Sequence, residues 1–537
     1  MISAVFRSLA ALLALLAAAP AWAEWYEASS DHFVIYADDK EADLRKFAEN
    51  LERYHSAMAF LTGQTVEKPS PSNRVTIFVV GDQRDMRALT GGNRYVGGFY
   101  IPRAGGSRAF VQDIRNNKGY PHFSTIVMLH EYAHHFLISS SRFPMPRWWN
   151  EGAAEFFAAA TFKDDGSLLI GRAAQHRGAE LAYADPVHVR ELLDPALYEK
   201  ERSKGYDAFY GKSWLLYHYL IFSKERAGQL TQYERNLFSG MAPLAAGEAA
   251  FGDLDTLERD LGNYLRGGRF MMLPLPAAKL STGSPVTLRK LPAGEAAMMP
   301  VVIRSQRGVN DAQAAELLAE ARAIAAKYPD DPGVLAALAE AEYDAGNDAE
   351  AIAAADKAIT ADPSRTNAYV QKGYALFRQA ADADDRKTAF AAAMKPFEAL
   401  NALENDHPLP LIYYYRSQVE SGIKPNENAR AALERASVLA PFDQGLQVNA
   451  GIMLIGEGKH AIAREFLAPV AASPHGGGAA KRAQLLMTLI AKAEEGRGIS
   501  IAEAVNKAGA GEGDGQDAAD GGSGEGSDSP AAPPPPQ

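Results

Sequence analysis

His130-Glu131-Tyr132-Ala133-His134 sets two imidazoles four residues apart with a carboxylate between them. On a helix, positions i and i+4 share one face, so both rings can reach one ion, while Glu131 sits one residue round and can contact a water on that ion. Zinc suits two neutral imidazoles and lowers the pKa of bound water towards about 7, leaving Glu131 to take the proton during attack on a carbonyl. A catalytic zinc usually has a third protein ligand. In Trp148-Trp149-Asn150-Glu151-Gly152-Ala153-Ala154-Glu155, the two glutamates again stand at i and i+4. That fits one ligand and one carboxylate behind it that orients an imidazole. Spacing alone leaves both glutamates open as the ligand. His122 and His135 are expected to be surface or supporting groups, since His134 and His135 project about 100° apart on a helix.

These side chains need elements to hold them. Ser124 to Ile138 and Trp149 to Ala160 read as helices, and the two prolines and the serines between them mark a loop. Upstream, 32–36 and 75–80 read as strands, 40–61 as a helix, and 95–101 with 108–112 as two strands around Ala104-Gly105-Gly106. Downstream, a hairpin is expected around Asp165-Gly166, followed by a mostly helical stretch from Pro186 to Leu265.

At 537 residues the chain is too long for one core and calls for several units. Residues 1–23 have one positive charge, a short apolar run and Ala21-Trp22-Ala23 at the end, the pattern of a cleaved secretory signal peptide. No other segment is apolar enough to span a membrane. The absence of cysteine excludes disulfides, thiolate zinc sites and cysteine nucleophiles, and with the signal peptide it points to a bacterial periplasm or the medium. A net charge of -11 gives no footprint for nucleic acid. Residues 276–308, rich in Pro and Gly, are expected to be a linker. Beyond it Pro329, Pro363, Pro408, Pro441 and Pro474 fall 34, 45, 33 and 33 residues apart, a period that resembles a tetratricopeptide array over 309–497 with an insertion near 380–387. Residues 498–537 form an acidic Gly/Pro-rich tail, with no large apolar residue from Gly509 onward, and are expected to be disordered.

The segment WWNEGAAEF resembles the WLNEGFA element of the aminopeptidase N branch of the gluzincin metallopeptidases. Its acid spacing is similar to that of thermolysin-like enzymes, and the pattern with its GGFY hairpin is most similar to the bacterial peptidase MA-like gluzincins. The resemblance implies an α+β zincin-like catalytic domain over 24–275, with zinc on His130, His134 and Glu151. It implies Glu131 as general base and then proton donor, and Glu155 as the orienting acid. The interval from His134 to Glu151 is shorter than in the two better-known branches, a difference a shorter loop accommodates at small cost. Asp207 to Leu216 resembles the family's Tyr-Gly-x-Ser-Trp helix start, which makes Tyr210 the candidate oxyanion stabiliser, with Tyr206 as its competitor. The strand through Gly98-Phe99-Tyr100 resembles the edge against which gluzincins lay an extended peptide. No GxMEN element for a free amino terminus is present, which points to an endopeptidase or an unusual substrate. The expected whole is an exported zinc peptidase acting on protein or peptide, with a helical solenoid that docks a protein partner. Its rivals are a periplasmic interaction scaffold with a silent zinc site, and the same metal chemistry directed at cell-wall peptides.

Overall fold

The computed structural model describes residues 24–93, 96–114, 120–201, 206–473 and 476–500. The expected signal peptide and the tail beyond residue 500 lie outside the described residues. Nine strands are described: β1 (Tyr26–Ser29), β2 (Phe33–Ala37), β3 (Val75–Val79), β4 (Gly98–Ile101), β5 (Arg108–Val111), β6 (Thr161–Phe162), β7 (Leu168–Ile170), β8 (Leu273–Leu275) and β9 (Thr287–Lys290). Six form one sheet in the order β4-β5-β3-β2-β1-β9, with β2, β3 and β5 parallel and β4, β1 and β9 antiparallel to their neighbours. β6, β7 and β8 make a second, small antiparallel sheet.

Strand alternation sorts the large sheet's side chains onto two faces. Phe33, Ile35, Val75, Ile77, Ala109 and Val111 point into the main core. That face is covered by α1 (Glu41–Thr62), and after α2 (Gln83–Leu89) the chain returns to it as α3 (Phe123–Ser140). The Tyr54 hydroxyl of α1 donates to the Leu129 carbonyl of α3 at 3.0 Å. The opposite face carries an aromatic row, Tyr36, Phe78, Phe110 and Phe99, whose rings stack at 5.6, 5.3 and 4.6 Å in turn. Next come α4 (Arg147–Ala158), α5 (Gly178–Tyr183), α6 (Val189–Leu193), α7 (Pro195–Glu201), α8 (Phe209–Phe222), α9 (Gln229–Phe238), α10 (Pro243–Phe251) and α11 (Leu254–Gly267).

Residues 276–308 are not the linker their composition suggests. Val286 joins the core, β9 adds the last strand beside β1, and α12 (Ala293–Arg307) lays Met299 and Ile303 over the aromatic row. The same helix sends Met298 and Val301 into the first core of the helical array. An amphipathic stretch with two buried sides welds the two halves together, and the array therefore begins at 293 rather than 309.

The array continues as α13 (Asp311–Ala325), α14 (Pro332–Asp344), α15 (Asp348–Ala361), α16 (Thr366–Ala381), α17 (Arg386–Ala393), α18 (Lys395–Leu403), α19 (Pro408–Glu420), α20 (Glu427–Leu439), α21 (Gln444–Gly456), α22 (His460–Ala471) and α23 (Gly477–Ile490). Ala351, Ala358, Ala429, Ala436 and Ala463 are buried where paired helices approach closely, as their phase predicts. The long interval is a broken second helix, α17 and α18, filled by Phe390 and Phe397. Among the described residues no helix is long and apolar enough to cross a membrane.

The array curls back onto the tip of the β4–β5 hairpin. Asp443 caps α21 with one carboxylate oxygen on the Leu446 amide at 2.9 Å, and its other oxygen accepts from the Ala104 amide at 2.9 Å. Glu404 accepts from the Ser72 amide and hydroxyl, both at 2.8 Å, and Asn73 donates to the Leu439 carbonyl at 2.8 Å. Gly105 has φ +80°, and a Cβ there would lie 2.9 Å from Leu409, so the tip needs glycine for both conformation and space.

Candidate metal centre

Loop 141–146 turns the chain from α3 into α4. Gly152 lets α4 press against α8, because a Cβ there would meet the Ser213 carbonyl at 2.5 Å. Most of α3 is buried, so its polar residues stand in a helix that is otherwise core. This crossing brings three ligand atoms together. The Nε2 atoms of His130 and His134 lie 3.0 Å apart, and each is 3.4 Å from Oε2 of Glu151. A tetrahedral zinc with bonds of about 2.0–2.1 Å holds its donors roughly 3.3 Å from one another. The triangle thus has the size of one face of that tetrahedron, and its donor set, two imidazoles and a carboxylate, fits the metal. These three buried residues are the group capable of holding a metal ion among the described residues.

The far nitrogens of both rings are held. His134 Nδ1 lies 2.9 Å from Asn150 Oδ1, and His130 Nδ1 lies 3.3 Å from Glu155 Oε1. An acceptor at Nδ1 keeps the proton there and leaves Nε2 its lone pair for a metal. Burial alone lowers the His130 pKa, but Glu155 and Glu151 outweigh it and push it up to about 10. The same negative field favours a cation at the centre of the triangle.

Glu155 is itself anchored. Arg177 donates to its Oε1 at 2.9 and 2.5 Å, and His176 meets its other oxygen. Burial would raise the Glu155 pKa, yet Arg177, His176 and His130 hold it well below the usual carboxylate range. Tyr120 continues the chain to His176 Nδ1 at 2.9 Å. Glu180 takes the rest of Arg177 at 3.2 Å and accepts from the Gly211 amide at 2.6 Å, and burial pushes its carboxyl up to about 7.

Glu131 is half-buried and its charge reaches Tyr100 of the edge strand β4, while His130 and His134 face Glu151. Tyr210 opens α8 beneath the Arg177 guanidinium, 4.7 Å from its ring. Burial raises its pKa far enough to keep the phenol protonated, and Glu151 and Arg147 lie close enough to act on it. Tyr206 is more exposed and responds to Glu180 and Arg177, one layer behind Glu155.

Of its two expected places, His135 does not take the surface. It is buried, with Nδ1 2.6 Å from the Tyr100 hydroxyl and its ring 4.5 Å from Phe442 of the array. It ties α3 to both the edge strand and the array. His122 caps α3 by accepting from the Ser124 amide at 3.4 Å. Asn150, His176, Arg177 and Tyr120 carried no readable signal in the sequence. Only Asn150 stood inside a motif, and its role depends on a ring sixteen positions away.

No protein-family model matches the chain, and no curated protein matches it. Solved structures with a likeness to part of it include a double mutant of MamA, described as RS-1 ArsTM, at 19% identity and TM-score 0.26 over 33% of this chain and 93% of that one. MamA itself aligns at 17% identity and TM-score 0.26 over 34% and 96%. TTC0263, a thermophilic TPR protein of Thermus thermophilus, aligns at 16% identity and TM-score 0.30 over 37% and 99%.

Proposed function

We propose that the chain is an exported zinc-dependent endopeptidase whose helical repeat array is built into the same body. The observation that supports this reading is the buried His130, His134 and Glu151 triangle at 3.0, 3.4 and 3.4 Å, with Nδ1 of each ring held from behind.

His130, His134 and Glu151 would hold the ion, which when bound supplies a water of lowered pKa and polarises a carbonyl. Glu131 takes the proton from the attacking water and passes it to the leaving amine. Tyr210, held neutral by burial, donates its hydroxyl proton towards the oxygen that gains charge. Asn150 and Glu155 keep the imidazoles in register. β4 is the last strand of its sheet, and its outer main-chain groups can pair with an extended peptide.

The test is elemental analysis of mature protein purified without chelator or affinity metal, beside Glu151→Ala. About one zinc per chain, lost in the variant, supports the site. No metal even after zinc is offered overturns the peptidase and leaves the interaction scaffold. A protein partner bound through the repeats is the second reading, favoured by the array itself. The hairpin tip already covers the array around Leu409 and Asp443, so a partner would use the surface beyond them.

A further inference from the structure

Arg147 opens α4 one helical turn before Glu151, so both side chains rise from the same face of the helix. Its guanidinium lies 4.3 Å from the centre of the Phe209 ring and 5.4 Å from that of Tyr198. These rings hold the planar group in place and shield it from water. Its charge acts on Tyr210 and then on Tyr198 and Glu151, which sets it beside the metal triangle.

The neighbouring Arg177 is fully engaged by Glu155 and Glu180. Arg147 is different. Among the described residues no carboxylate makes an ion pair with it, and its water-shielded Nε has no hydrogen-bond partner. The nearby Glu151 directs its oxygen to the two imidazoles. Glu151 acts on its charge from nearby and the Tyr210 hydroxyl takes one of its hydrogen bonds, but a part-buried guanidinium with no carboxylate in direct contact suits a ligand that brings one. The fork of a guanidinium matches the two oxygens of a carboxylate.

We propose that Arg147 anchors a carboxylate of the substrate beside the metal triangle, so that the site selects peptides with a negative charge near the scissile bond. The proposal rests on the peptidase reading. A C-terminal carboxylate and an acidic side chain share this chemistry.

The experiment uses the full mature chain carrying Glu131→Gln, loaded with zinc, and the same protein with Arg147→Gln added. Glutamine can still donate to Tyr210 but carries no charge. The probes are Ala-Ala-Phe-Ala-Glu as free acid and as amide, and the same pair ending in Gln, each carrying an uncharged BODIPY label on its amino terminus and followed by fluorescence anisotropy. An anionic probe is expected to bind at least tenfold more tightly than the neutral one, and Arg147→Gln removes that advantage while leaving the neutral probe unchanged. Selectivity that survives in the Glu-amide assigns an acidic side chain, and selectivity that follows the free acid assigns the C-terminus. Equal binding of all four probes, or an equal loss for all in Arg147→Gln, overturns the anchor. Wild-type hydrolysis of the same peptides is read in parallel. Charge-selective binding without cleavage removes the peptidase and keeps the anchor, whereas cleavage without selectivity removes the anchor alone.

Discussion

His134 Nδ1 and Asn150 Oδ1 lie 2.9 Å apart, a hydrogen bond that joins the two helices carrying the proposed metal ligands. It fixes the imidazole at the position where its other nitrogen meets His130 and Glu151. Asn150 immediately precedes Glu151, so one short segment supplies both a ligand and the brace of another.

Removing that brace should weaken the metal rather than the fold. Asn150→Ala is expected to cost about 10- to 100-fold in zinc affinity, read by competition with a chromogenic chelator. Asn150→Asp, which keeps the acceptor, should recover most of it. Unchanged affinity in the alanine variant would show that the ring needs no orienting.

Glu131 is not among the three residues whose ligand atoms converge. Glu131→Gln should therefore retain one zinc per chain and lose about 10²- to 10⁴-fold in peptide hydrolysis. Retained turnover would take Glu131 out of the mechanism.

A cut after Leu275 should not release a working metal half. It removes β9 from the edge of the large sheet and uncovers the aromatic row that Met299 and Ile303 bury. The fragment is expected to lose its near-ultraviolet circular dichroism and aggregate, whereas a cut after Arg497 keeps a cooperative melt. A soluble, cooperatively melting fragment ending at Leu275 would refute the weld through α12.

Glu180 makes stability depend on pH in a definite direction. Burial raises its folded pKa from 4.5 to about 7 against the opposing pull of Arg177 and the Gly211 amide, while the charge of Glu155 adds to the rise. Between these values the folded protein keeps a proton that the unfolded chain releases, so its contribution is full below about 4.5 and is lost as pH rises through 7. The loss is on the order of 3 kcal/mol. Asp344, also raised to about 7 by burial, adds a slope of the same sign. Thermal melts from pH 4.5 to 8 should show a smaller fall for Glu180→Gln than for wild type. Identical slopes would mean that burial does not shift Glu180.

Whatever depends on neighbours along the chain was decided by the sequence itself. The i, i+4 geometry of a helix alone puts His130 beside His134, runs of β-branched and aromatic residues mark β2 and β3, and the proline period marks the paired helices of the array. Tertiary packing decided the rest, because it joins positions that no local period relates. Spacing left Glu151 and Glu155 open, and the crossing of α3 over α4 sets Glu151 in the triangle and Glu155 behind His130, at 3.4 and 3.3 Å. That crossing depends on Gly152 meeting the backbone at Ser213, sixty-one positions on. The supposed linker failed as a reading for the same reason. The Pro and Gly content of 276–308 reports local backbone preference, whereas β9 and α12 exist because β1 and the Phe78–Phe110 face need covering. His135 and Asp443 repeat the lesson from the two sides of one interface, each placed by a partner some three hundred residues away.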